Sequence, residues 1–158
     1  MSAAFSCFKH WEAELNKELM FSSKTCEWET PQEIFDQLDM LYNFDLDPAS
    51  THENAKCEKH FTKDDDGLAQ DWGGHRVFCN PPYGRSIGDW VEKGFYESQK
   101  PNTTVVMLLP ARTDTRWFHD FCLFGDVHFI RGRLKFGGSK DAAPFPSMVV
   151  TFKSEGER

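Results

Sequence analysis

Residues 80–83 read Asn-Pro-Pro-Tyr, directly after the apolar run Val77-Phe78-Cys79 and before Gly84. Each proline fixes φ and removes a backbone donor, and a residue that precedes proline is pushed to extended geometry. The order therefore predicts a strand that delivers a stiff loop rich in carbonyl acceptors, poor in N–H groups and tipped by an aromatic plate. Such a tip suits a planar amino group gripped through its hydrogens while its nitrogen attacks an electrophile. When that nitrogen is conjugated to a ring, its lone pair is delocalised and it is a poor nucleophile. Acceptors on both hydrogens draw it towards tetrahedral geometry and stabilise the positive charge that develops, which is electrostatic preorganisation. Holding the electrophile in line supplies the rest. The Asn80 side-chain carbonyl and the Pro81 backbone carbonyl would be the acceptors, Pro82 would stiffen the loop, and Tyr83 would stack on the ring. Pro-Pro also occurs in plain turns and Asn closes turns, so the motif counts only in a strand-then-loop setting.

The neighbouring elements give that setting. Residues 76–79 read as a strand, and 87–98 as a helix with Trp90, Val91, Gly94 and Phe95 on one face. The unbroken apolar run at 103–109 predicts a fully buried strand. Upstream, Thr30-Pro31 followed by Glu33 reads as a capped helix start. Ile34, Phe35, Leu38, Leu41 and Tyr42 recur behind it at helical spacing. Phe44 to Asp47 reads as a short strand ended by Pro48, residues 51–59 as a helix, and 64–67 as a turn. Further on we expect a helix at 113–124, a strand at 127–130, a glycine-rich basic loop or hairpin at 131–143 and a closing strand at 147–152. Strand–helix alternation predicts an α/β layer fold with a mostly parallel sheet. Residues 1–25, with a helix at about 9–19, read as an N-terminal extension to a single domain over 26–158.

At 158 residues the chain can bury a sizeable core. Fifteen Phe and five Trp argue for a packed globule. The longest apolar runs are too short for a membrane span, and no signal-peptide pattern opens the chain, so a cytosolic protein is expected. Five scattered cysteines without a Cys-x-x-Cys pair fit reduced thiols. Cys57 and His60 lack a second ligand pair, so no metal is expected.

The net charge of −7 is unevenly spread. The acidic residues concentrate before residue 76, while every arginine lies from Arg76 onward. A basic face on an acidic protein can meet phosphates, or the arginines can pair with the acidic half.

Asn80-Pro81-Pro82-Tyr83 resembles the catalytic motif of amino-methyltransferases that use S-adenosyl-L-methionine. Its order after Thr30-Pro31 and Asp47-Pro48 is similar to that of the small phage-type DNA adenine methyltransferases. The likeness extends through Leu109-Pro110-Ala111-Arg112, Arg131-Gly132-Arg133-Leu134-Lys135-Phe136 and Pro144-Phe145-Pro146-Ser147. It implies a Rossmann-like single domain with helices on both faces of the sheet, and methyl transfer to the 6-amino group of adenine extruded from double-stranded DNA. It also implies S-adenosyl-L-methionine held by Trp28, Thr30 and Pro31, by Asp47, Pro48 and Ala49, and by Asp71 and Trp72. Arg85, Arg112, Arg116, Arg131, Arg133 and Lys135 are the expected DNA contacts, since arginine reads guanine edges or grips phosphate. The setting would be a bacterial cytoplasm, or a host cytoplasm if phage-encoded, with no obligate protein partner. The chain departs from the wider pattern in having no glycine after Asp47 until Gly67, where a glycine-rich loop usually lets backbone approach the ligand. For Thr30-Pro31, a plain helix start is the alternative; for Arg112, an ion pair with Asp114. Other readings of the same tip are a methyltransferase acting on an RNA base or on protein glutamine, and an inactive DNA-binding relative.

Overall fold

The computed structural model describes residues 28–154 and Gly156; the expected extension at 1–25, with its helix, lies outside them. The order is α1 (Gln32–Tyr42), β1 (Arg76–Cys79), α2 (Ile87–Ser98), β2 (Thr104–Pro110), α3 (Arg116–Asp120), β3 (Asp126–Phe129) and β4 (Ser147–Lys153), with three short 3-10 turns between them. The strands form one sheet in the order β1-β2-β4-β3.

The sheet is mixed where a mostly parallel one is expected. β1 and β2 are parallel, while β4 runs antiparallel to both β2 and β3. β4 enters between them, so two of the three pairings are antiparallel although β1, β2 and β3 share one direction. The closing strand is reversed because it follows β3 through a loop rather than through a helical crossover. Beyond β1, Leu46 adds a parallel bridge to Val77, and Asp47 a further one to His60.

Packing follows strand alternation. In β1, Phe78 meets the ring of Phe35 from α1 at 5.2 Å, and the Tyr42 hydroxyl at the end of α1 lies 3.2 Å from Thr151 Oγ1 in β4. Val105 and Met107 of β2 approach Gly94 of α2 so closely that a Cβ there would stand 2.8 Å from Met107 Sδ. Phe95 of the same helix packs on Phe152. Val105 to Leu109 are fully buried, which matches the continuous apolar run.

Two expected helices are corrected. Residues 51–59 form turns, because Thr51 and Asn54 bond each other: Thr51 N–H donates to Asn54 Oδ1, and Asn54 N–H to Thr51 Oγ1. Such local side-chain bonds compete with helix. The helix expected at 113–124 shrinks to α3, capped by Thr115 accepting from Phe118 N–H, and a 3-10 turn at Cys122–Phe124. Among the described residues no helix is long and apolar enough to cross a membrane.

Candidate active site

Asn80 leaves β1 at its carboxyl end, and Asp47-Pro48 follows Leu46 at the matching end of the adjacent parallel segment. Crevices at the carboxyl ends of parallel strands are where α/β sheets bind ligands. A cavity of about 700 Å³ opens there. Of the residues expected at the site, Trp28, Thr30, Asp47, Pro48 and Ala49 line it, as do Asn80, Pro81, Pro82 and Arg85.

Asn80 is oriented by its own amide. Its Nδ2 donates to the Trp28 carbonyl and, at 2.9 Å, to Thr30 Oγ1. Its Oδ1 is buried and, among the described residues, has no partner. A buried acceptor left unpaired costs about 1–3 kcal/mol, and such a group in a folded protein wants an explanation. Beside it, the Pro81 carbonyl enters no hydrogen bond among the described residues. Asn80 and Pro81, the two residues that carry these acceptors, both line the cavity.

Thr30 is not the helix cap expected of it. Pro31 stands at the start of α1, which has no side-chain cap bond, and the Thr30 hydroxyl serves Asn80 instead. Pro31 does not line the cavity; it shapes the turn into α1, accepting from Ile34 and Phe35 N–H.

Another part of the lining is built around Asp47. Its buried carboxylate accepts from Ala49 N–H at 3.3 Å and Lys56 N–H at 3.0 Å, tying residues 47–56 into a closed loop. Burial pushes its pKa up, against the lowering effect of those two donors. Ser50 lines the cavity too, with a buried Oγ that has no partner among the described residues. A glycine from elsewhere in the chain packs on this loop: Gly67 lies against Pro48, and a Cβ there would stand 2.1 Å from the Pro48 carbonyl oxygen. Sequence reasoning missed both Gly67 and Ser50. Gly67 carried a signal, as the first glycine after the loop.

Asp71 and Trp72 do not reach the cavity. Asp71 is exposed and bonds Lys100 Nζ and Gly73 N–H. Lys100 and the Gly73 amide hold its carboxyl down at about 2. Trp72 is fully buried; its indole N–H donates to the Gly67 carbonyl and its backbone N–H to Glu97 Oε2. It therefore acts behind the wall, fixing Gly67.

Tyr83 also departs from expectation. Its ring is buried against Phe136 and Phe145, and its hydroxyl donates to the Leu108 carbonyl at 2.9 Å. In this structure it does not line the cavity; it pins the loop to β2.

Phe136 and Phe145 also grip Trp28, with ring centroids at 5.5 and 5.2 Å, and Gly137 N–H donates to the Glu29 carbonyl. These contacts tether the basic loop at 131–146 to the rim of the cavity. Arg131, Arg133 and Lys135 on that loop are exposed, as are Arg85, Arg112 and Arg116. Among the described residues Arg112 forms no ion pair with Asp114. Apart from Arg85, these cations lie outside the cavity lining.

A sheet that offers paired, unsatisfied acceptors beside a roomy pocket suits the amino-directed methyltransferases as a class. Comparison with known proteins gives the family. The family model described as DNA N-6-adenine-methyltransferase (Dam) matches residues 19–157, and the chain belongs to that family of adenine-specific DNA methyltransferases. A DNA N-6-adenine-methyltransferase of Haemophilus phage HP1 is 32% identical over 136 residues, covering 80% of this chain and 78% of that protein. One from Escherichia phage T1 is 39% identical over 93 residues, 58% of this chain but only 38% of that longer protein. The putative methyltransferase YfdM of Escherichia coli K12 is 38% identical over 64 residues, 36% of this chain and 70% of that protein.

Proposed function

We propose that the chain transfers a methyl group from S-adenosyl-L-methionine to the 6-amino group of adenine in double-stranded DNA, with Asn80 Oδ1 and the Pro81 carbonyl as the two acceptors of the amino hydrogens. The observation that carries this is the buried, unpartnered Oδ1 beside an unused carbonyl at the cavity wall. The nitrogen lone pair takes the methyl as its bond to the sulfonium sulfur breaks, which releases the neutral thioether S-adenosyl-L-homocysteine; the acceptors stabilise the cationic nitrogen until one of its protons passes to solvent.

The cavity fits the proposed donor. Its volume suits a nucleoside-sized ligand with room beside it, and Gly67 in its lining packs on the Pro48 carbonyl where no side chain would fit. S-adenosyl-L-methionine supplies an electrophilic methyl on a sulfonium. Asp47, Pro48, Ala49 and Ser50 would hold it on one wall, with Trp28 and Thr30 near the acceptors. The arrangement supports a Rossmann-like reading in which helices pack on both sides of the sheet. The basic loop at 131–146, with Arg85, Arg112 and Arg116, would grip the duplex while the base is extruded. Such chemistry belongs in a cytoplasm that holds DNA.

Transfer of tritium from labelled S-adenosyl-L-methionine to DNA tests the proposal. Wild type should label adenine; Asn80→Ala should lose at least on the order of a hundredfold in rate while still binding the donor. Label recovered in RNA or protein, with none in DNA, would overturn it.

A further inference from the structure

We propose that Thr30, together with the Trp28 carbonyl, sets the orientation of the Asn80 amide and so decides which of its two ends meets the substrate. The inference rests on the reading of Asn80 as an acceptor, and it makes Thr30 a positioning residue rather than a ligand contact.

A side-chain amide has one accepting and one donating end, and rotation by a half turn exchanges them. A backbone carbonyl can only accept. The end of Asn80 that faces the Trp28 carbonyl must therefore be Nδ2, whatever the rest of the site prefers. The second hydrogen of Nδ2 goes to Thr30 Oγ1 at 2.9 Å. Both donors are then used, and among the described residues Oδ1 is left without a partner. In the flipped orientation Oδ1 would face the Trp28 carbonyl oxygen with no hydrogen between them.

The surroundings hold this arrangement. Thr30 is buried, and its hydroxyl does not cap α1. The Trp28 ring is clamped edge-on by Phe136 and Phe145, which fixes the residue whose carbonyl does the selecting. An amide free to rotate would spend part of its time presenting N–H groups to an amino group that itself offers only hydrogens. The carbonyl disfavours that state before substrate arrives, and the hydroxyl, by accepting the second Nδ2 hydrogen, anchors the amide in the orientation so selected, which is preorganisation of the acceptor.

The test uses the full chain, with single-turnover methylation of DNA, titration of S-adenosyl-L-methionine binding and thermal unfolding measured on each variant. Thr30→Val keeps the shape and removes the hydroxyl; its rate should fall roughly tenfold to a hundredfold, less than the loss of a direct stabilising contact costs. Its affinity for S-adenosyl-L-methionine should stay within about twofold, and Thr30→Ser should restore the rate to within about threefold of wild type. A Thr30→Val enzyme as fast as wild type would overturn the proposal. So would a loss confined to donor affinity, or a serine variant as slow as the valine one. Asn80→Asp gives a second reading that does not depend on how Thr30→Val folds. An ionised carboxylate cannot donate to the Trp28 carbonyl, whereas a protonated one can. The rate of Asn80→Asp relative to wild type should therefore climb as pH falls, and a flat ratio would count against the proposal. Wild type that labels no DNA at all would instead sink the functional reading, and this proposal with it.

Discussion

Gly67 and Pro48 touch backbone to backbone: a Cβ on Gly67 would lie 2.1 Å from the Pro48 carbonyl oxygen and 2.9 Å from Cη2 of Trp90. The loop after Leu46 lacks glycines of its own, so close approach on this side of the cavity comes from a residue far along the chain. Trp72 holds that residue in place by donating its indole N–H to the Gly67 carbonyl, and its ring stacks near Trp90 at 6.1 Å.

Gly67→Ala should therefore act on the proposed donor site through the cavity lining. The obstructing atom belongs to the backbone, so no side chain can rotate away, and the loop at 47–56 must shift. We expect a stability loss of about 1–3 kcal/mol, typical of overpacking, and at least a tenfold weaker affinity for S-adenosyl-L-methionine by titration calorimetry. Gly88→Ala is the control. A Cβ there meets only Trp117 at ordinary contact distance, 3.5 Å, and alanine is the better helix former. Equal effects of the two substitutions would refute the wall argument.

Asp47→Asn tests the other half of that wall. The carboxylate offers an oxygen to each of the Ala49 and Lys56 N–H groups; an amide has one accepting end and would turn its own donor towards the second N–H. The cost should be about 1–3 kcal/mol, with weaker donor binding. Burial raises the Asp47 pKa above its ordinary 3.8. Because the folded value lies above the unfolded one, this group favours folding most at pH below 3.8, and the benefit is lost as pH rises through the folded value. The gap in Tm between wild type and Asp47→Asn should accordingly widen on acidification. A constant gap between pH 3 and 7 would contradict it.

The parts legible in the sequence are those fixed by local pattern. The strand expected at 76–79 and the helix at 87–98 match Arg76–Cys79 and Ile87–Ser98, because β-branched and aromatic runs or helical spacing specify them without help from distant residues. The end of the strand at Cys79 and the irregular segment that follows were legible for the same reason, since two prolines exclude regular pairing there. What failed depended on partners far along the chain. Nothing local tells that Thr30 serves Asn80 rather than α1, that Trp72 braces Gly67 from behind, or that Tyr83 turns its hydroxyl to Leu108. The reversed β4 was hidden too, because a single apolar run carries no direction.

Glu97 is the hub behind Trp72. Its buried carboxylate accepts from the Trp72 backbone N–H, from Lys93 Nζ and from Lys100 Nζ. Burial alone would raise its pKa, but these donors outweigh that and lower it below 4.5. Asp71, sharing Lys100, is lowered from 3.8 to about 2, chiefly by the lysine and then by Gly73 N–H. Depressed folded values mean stability present above the unfolded pKa and lost as pH falls through the folded one. Wild type should lose Tm below about pH 4.5, and Glu97→Gln should start lower and fall less steeply. Asp71→Asn should change little, since the Lys100–Asp71 pair is exposed and screened. Parallel Tm curves for wild type and Glu97→Gln from pH 2.5 to 6 would remove Glu97 from the brace.

Tyr83→Phe separates an anchor from a stacking plate. In the structure the hydroxyl is directed to the Leu108 carbonyl of β2, and the ring packs edge-on to Phe136 and Phe145 at 6.2 and 5.6 Å. Burial also holds the phenol well above its ordinary pKa of 10, so it stays neutral and donating at any working pH. Removing the hydroxyl alone should cost about 1 kcal/mol of stability and leave the methylation rate within about threefold, because the ring still fills its place between Trp28's two clamps. Tyr83→Ala should do more. It empties that aromatic cluster, frees Phe136 and Phe145, and through them loosens Trp28, whose carbonyl fixes the Asn80 amide. Its rate should drop together with its Tm, whereas an alanine variant with wild-type Tm and lost activity would restore Tyr83 to a direct role against the base.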